Sequence, residues 1–315
     1  MQLKAFDLQP EILDEIKGRR SEATKTSHQT ERYHGLMTEG LIFGYPDEWR
    51  DFEQRNRSFL ECLPKLKEAL DIAFVRNANV STAADRAILF LGRLCIEDFM
   101  ELLCLAANGY GVGAMKLLRG LYERAVTASY LAMYPDEAQN FLDFRFISKY
   151  KALQAYVGGG TRDEGWIKKA KEARAKYDEV KARFEVNDCK KCESKRINHF
   201  WSKSDFVSMA KRTGELGKLL AQAYYEPLNH AHSTAEAIMM RLEKSESGFI
   251  GFKPSPQRSD ADRALQIGHA VMVALLEIQA RHFTMGDLAA KVEVSCADHV
   301  RVWSERQLAV DPNES

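Results

Sequence analysis

Between residues 47 and 76 the chain reads DEWRDFEQRNRSFLECLPKLKEALDIAFVR, with apolar positions returning every three or four residues and charges between them. That is the period of one face of an α-helix. Pro64 lacks the N–H that a helix interior needs, so the pattern predicts a kink or an interruption there. STAADR then supplies Ser81 or Thr82 as the N-cap of a long helix that reaches the glycine-rich NGYGVG at 108–113. A second long helix is predicted over 114–134, and a third, EAQNFLDFRFISKYKALQAYV, ends at glycines 158–160. Further amphipathic stretches follow: SDFVSMAKRTGELGKLLAQAYY, a helix from about 231 to 244, and two closing helices near 259–284 and 286–308. Strand candidates are confined to GFIGF, and no internal repeat suggests a solenoid. The predicted fold is all-α, a multi-helix bundle around a central antiparallel hairpin of 82–108 against 114–134. Residues 1–80 are expected as an N-terminal helical segment and 81–315 as the main bundle.

The hairpin carries charge into an apolar setting. If it folds near Tyr110, positions summing to about 220 face each other, which sets Glu101 opposite Arg119 and Glu97 opposite Glu123 and Arg124. Arg119 and Glu123 are four apart and share a face of a helix that also bears Leu117, Leu118 and Leu121. Charges entering such an interior must be paired and hydrogen-bonded. Two readings follow. The cluster is a structural ion-pair network, or it is a site in which Arg119 holds an anion and a carboxylate moves a proton.

Composition narrows the classes. Lys+Arg and Asp+Glu stand at 45 each, which removes a global electrostatic argument for nucleic acid. Locally the balance differs: segment 166–196 holds eleven Lys and Arg against six Asp and Glu. It is expected to be an exposed helix running into a loop at NDCKKCESKR, with Lys168, Lys169 and Lys171 as polyanion contacts and mobility near Asp188–Glu193. The most apolar stretch, 87–107, contains Arg93, Glu97, Asp98 and Glu101, so no membrane span is expected. The N-terminus lacks a signal-peptide core, and six scattered cysteines suit a reducing compartment, so the expected location is cytoplasmic. Cys189 and Cys192 have zinc-ligand spacing, as do Cys296 and His299; brought together they would form a Cys3His site. The other reading is two coincidences, and no other cofactor is expected, since there is no GxxxxGK[ST], no GxSxG and no strand before NGYGVG.

The stretch YYEPLNHAHST, residues 224–234, crowds aromatic, amide and imidazole groups together. His232 or His230, with Tyr225 and Asn229, is expected to meet the Arg119/Glu123 helix, either as a hydrogen-bonded core histidine or as an acid–base group in a polar pocket. RGLYERAVTASYLAMYPDEAQNFLDF, followed by Trp201 and then Tyr225, Leu228, Asn229, His232 and Ser233, resembles an uncharacterised bacterial family of helical proteins, a domain of unknown function, over about 85–245. Its Arg-x-Leu-x-Glu box falls on Arg119 and Glu123, and the spacing leaves open whether His230 or His232 matches its histidine. The family is in turn similar to HEPN-like helical proteins, which implies an RNA-cleaving, toxin-type activity in phage defence or stress response. The HEPN Arg-x(4–6)-His spacing occurs in RALQIGH, Arg263 to His269. The alternative is a non-enzymatic helical module that binds a partner protein or small ligand in a polar core pocket, with a homo-oligomer compatible with either.

Overall fold

The computed structural model describes residues 45, 47–75, 80–160, 163–187, 194–232, 234–244, 250–252 and 255–309. The chain divides after Pro46, and the unit that follows is an all-α, multi-helix fold. Helices α1 (Glu48–Arg55) and α2 (Arg57–Phe74) lead into α3 (Ala83–Ala107) and α4 (Gly111–Met133). After a short 3-10 turn come α5 (Ala138–Gly158) and α6 (Glu164–Val180), then strands β1 (Glu185–Asn187) and β2 (Lys195–Ile197). Short helices α7 (Phe206–Ala210), α8 (Glu215–Lys218), α9 (Glu226–Ala231) and α10 (Ala235–Met239) precede β3 (Leu242–Lys244) and β4 (Ile250–Phe252). The chain closes with α11 (Arg258–His282) and α12 (Gly286–Ala309). Among the described residues no helix is long and apolar enough to cross a membrane.

The central hairpin is α3 against α4. Thr82 opens it with a capping box: its hydroxyl accepts from the Asp85 N–H while the Asp85 carboxylate accepts from the Thr82 N–H. Phe99, Leu102, Leu118, Leu121 and Tyr122 are fully buried between these helices and α11, and the Tyr122 hydroxyl finds its partner in the Leu216 carbonyl at 2.8 Å. The loop between them is fixed by contact as much as by glycine flexibility. Gly109 has φ +78 and its carbonyl accepts from the Gln257 N–H at 3.1 Å. A Cβ on Gly111 would lie 2.1 Å from the Gln257 carbonyl oxygen and 2.6 Å from the Ala261 nitrogen. Gly111→Ala is therefore expected to push the start of α4 off the start of α11 and cost about 1–3 kcal/mol. A urea melt of that variant matching the wild type would contradict this packing.

Three expectations from sequence need correction. Pro64 does not interrupt α2; it lies on the exposed face, where water can satisfy the carbonyl it leaves free. The break falls at Asn56 instead, whose side chain donates to the Phe52 carbonyl at 3.1 Å and to Asp262 at 3.0 Å. Residues 47–75 do not stand apart from the main bundle, because Phe52, Phe59, Leu66 and Leu70 enter the same core as the hairpin. The helix expected at 231–244 is also cut short, to Ala235–Met239. His232 is extended at φ −109, ψ 154, Thr234 caps a new short helix, and β3 then pairs antiparallel with β4, Leu242 opposite Phe252. Strand β4 falls within GFIGF, the one strand candidate in the sequence, whereas a second antiparallel pair, Glu185 opposite Ile197, was not legible, since neither of its strands has an alternating run long enough to read.

Helices α5 and α6 form an arm. Phe141 packs edge-on against Trp201 at 5.3 Å, and Trp201 against Tyr130 at 6.0 Å, which seats its base on the core. Further out the arm has small cores of its own: Ile147 with Val180 and Phe184, then Leu153 with Ala170 and Ala173.

Candidate functional site

The site is built on one face of α4. Arg119 Nε donates to Glu123 Oε1 at 2.8 Å, one helical turn along. Arg119 Nη1 lies 3.2 Å from His232 Nε2, and Nη2 lies 3.4 Å from the Tyr224 hydroxyl. The guanidinium carbon stands 4.5 Å over the centre of the Tyr224 ring. Arginine has no acceptor, so the contact needs His232 Nε2 to accept, which places the imidazole proton on Nδ1. Arg119 is 19% exposed and Glu123 41% exposed, while His232 is on the surface. The cluster is reachable from solvent, and the expectation of a sealed core histidine does not hold.

Local backbone chemistry explains how these groups meet. Pro227 cannot donate to the carbonyl four residues back, and the turn before it, Ala221–Tyr225, is π-helical, with the Glu226 N–H bonded to the Ala221 carbonyl. The extra residue in that turn puts Tyr224, not Tyr225, under Arg119. Tyr224 packs on Phe206 at 4.8 Å, and Phe206 on buried Tyr122 at 6.0 Å, so the platform is continuous with the core. Tyr225 is turned outward, 47% exposed, with its ring edge-on to Tyr224 at 5.3 Å. Helix α9 then ends, and the extended backbone at His232 swings its ring onto Arg119. Asn229 and His230 sit half-buried on α9 and neither side chain hydrogen-bonds to the guanidinium. Of the two histidines the structure thus brings His232 to the cluster.

The hairpin register placed charges at the right level but on the wrong face. Glu97 and Glu101 are exposed, and it is Asp98 that pairs with Arg124. Burial pushes the Asp98 carboxyl above its usual range, Arg124 pulls it down, and Glu101 and Glu97 add to the upward push.

The remaining predicted residues lie elsewhere. Lys168 and Lys169 are exposed on α6. Cys189 and Cys192, with the stretch expected to be mobile, lie outside the described residues. Cys296 is exposed on α12, whereas His299 of the same helix turns inward, its ring 5.0 Å from that of His269. Among the described residues no group of three or more His, Cys, Asp or Glu is placed to hold a metal ion. The two ends of RALQIGH are separated: Arg263 is on the surface in a two-bond pair with Glu226 at 2.6 Å, and His269 is buried, accepting from the Trp303 indole N–H at 3.2 Å. Six residues along a helix put them on different faces.

Residues 85–250, just over half of the chain, match the model described as "Family of unknown function (DUF5677)". No curated protein matches the chain, and no solved structure does.

Proposed function

The chain belongs to this family of unknown function, and from the site inside the matched region we propose that it binds RNA and cleaves its phosphodiester at Arg119 and His232. The observation that carries the reading is a guanidinium and a neutral imidazole nitrogen 3.2 Å apart at a solvent-reachable surface. Cleavage by an internal 2′-hydroxyl needs a base for that proton and a cation for the charge that grows on the non-bridging oxygens. Once Arg119 Nη1 turns from it to the phosphate, His232 Nε2 takes the 2′-hydroxyl proton, the 2′-oxygen attacks phosphorus, the P–O5′ bond breaks, and the departing 5′-oxygen takes a proton from water, whose hydroxide is neutralised by the proton on His232. Arg119 faces the phosphate. Glu123 is a positioning residue: its bond to Nε holds the guanidinium in place while Nη1 and Nη2 exchange His232 and Tyr224 for the phosphate oxygens.

The test is cleavage of a labelled single-stranded RNA by the full chain and by Arg119→Ala and His232→Ala. Each variant is expected to lose about a hundredfold or more in rate. Because His232 is exposed, its replacement is expected to change unfolding free energy by less than about 1 kcal/mol. A wild type that does not cleave, or variants that cleave unimpaired, would sink the proposal. A loss of stability above that bound would return the cluster to a structural role. Ligand binding that is lost in both variants without any cleavage by the wild type would favour the non-enzymatic module.

A further inference from the structure

The α5–α6 arm distributes its charges unevenly. Toward its base the cations are neutralised: Arg174 and Lys181 pair with Asp178, Lys176 with Glu179, and Arg183 with Asp143. Lys149, midway along the arm, and Lys168, Lys169 and Lys171, nearer its tip, have no carboxylate at ion-pair distance among the described residues. The same end carries an aromatic pair, one ring exposed and the other half-buried. Tyr156, 58% exposed, stacks on Trp166 with centroids 4.9 Å apart and planes 18° from parallel. Lys169 Nζ stands 4.8 Å from the Trp166 ring centre. These residues border a groove of about 620 Å³, floored by Leu153 and flanked by Lys149, Lys169 and Lys176, with Glu172 as its one carboxylate.

We infer that this groove is a platform for single-stranded RNA, on which a base stacks against Tyr156 and Trp166 while the tip lysines meet the flanking phosphates. Charge and shape both favour that occupant. An apolar peptide would use the floor but would leave the lysines unmatched, whereas every base offers a π face and every linkage a negative charge. A duplex keeps its bases stacked inside and has none to offer the aromatic pair. The inference rests on the RNA reading above for its choice of polymer, yet it concerns different residues and a different measurement.

The experiment uses the full chain carrying His232→Ala, so that binding is read without cleavage. A fluorescein-labelled oligouridylate is titrated by anisotropy over a range of salt, beside an RNA duplex of equal length. Preference for the single strand is expected. Tyr156→Ala with Trp166→Ala is expected to weaken binding by about fivefold or more, the least that one stacked base contributes. Because losing two rings can loosen the arm, Lys149→Glu with Lys169→Glu provides a second variant, expected to reduce the salt slope by about 1.4. Equal or tighter binding of the duplex, or affinity and slope untouched in both variants, would overturn the inference. Binding that follows these expectations in a protein whose wild type never cleaves would uphold the arm and reject the Arg119–His232 reading. Cleavage by the wild type with an indifferent arm would do the reverse.

Discussion

Replacing Glu48 with alanine is expected to cost about 2–3 kcal/mol in unfolding free energy, the upper range for losing hydrogen bonds to charged groups. Its side chain is 0% exposed and accepts from Arg55 Nη2 at 2.8 Å and from Arg258 Nε at 2.8 Å. Arg55 also reaches Asp262 at 3.2 Å, and Arg258 reaches Asp51, so one carboxylate joins α1 to the beginning of α11. Arg55 keeps Asp262 through Nε when Glu48 goes, but its Nη1 is already buried with no hydrogen-bond partner and Nη2 then loses its own. Glu48→Gln keeps the shape and loses the charge, and is expected to fall between wild type and alanine. Arg174→Ala, which breaks an exposed pair on the arm, is expected to cost under about 1 kcal/mol. Urea unfolding of the three variants orders them, and an alanine effect no larger than that of Arg174→Ala would refute the network's role.

The second large effect concerns acid. His269 is 1% exposed, with its Nδ1 accepting from Trp303 and its ring against Phe59 at 5.3 Å and His299 at 5.0 Å. Burial pushes its pKa down to about 3, the neighbouring His299 adds to that, and Asp298 opposes it. His299 is shifted downward too, chiefly by burial, with the Gln266 backbone opposing. The folded pKa of His269 lies below the unfolded one, so the unfolded chain takes up a proton that the folded chain refuses. The stability it contributes is complete above about pH 6.5 and is lost as pH falls toward about 3. Between pH 7 and pH 5 the wild type is expected to lose about 2 kcal/mol more than His269→Gln, which still offers Trp303 an acceptor but does not titrate. Parallel stability profiles for the two proteins over that interval would contradict it.

The legible part of the site was the part written in helical spacing. Arg119 and Glu123 are four apart, and the structure bonds them at 2.8 Å. His232 was one of two candidates, and the choice between them turned on where α9 stops. Tyr224 was missed in favour of Tyr225, although Pro227 two to three residues on was the available signal: a proline after a helical run frees a carbonyl and invites a local change of register. For Asp98 against Glu97, the level along the hairpin followed from counting residues. The face did not, because one residue of error rotates a helical side chain by about 100°.

By itself the amino-acid order determined whatever depends on neighbours along the chain: the long helices, a cap at Ser81 or Thr82, the glycine turn between α3 and α4, and the charge excess of segment 166–196. These follow from hydrophobic period and local hydrogen bonding, which act over a few residues. Tertiary structure alone decided the rest. The Glu48 network joins residues 210 apart in the chain, His269 acquires its character from Phe59 and Trp303 on other helices, and β3 finds β4 only after His232 leaves helical conformation. In each case the partner comes from a distant segment, and burial, not local spacing, sets whether a charged or titratable group is paired, neutral or left to solvent.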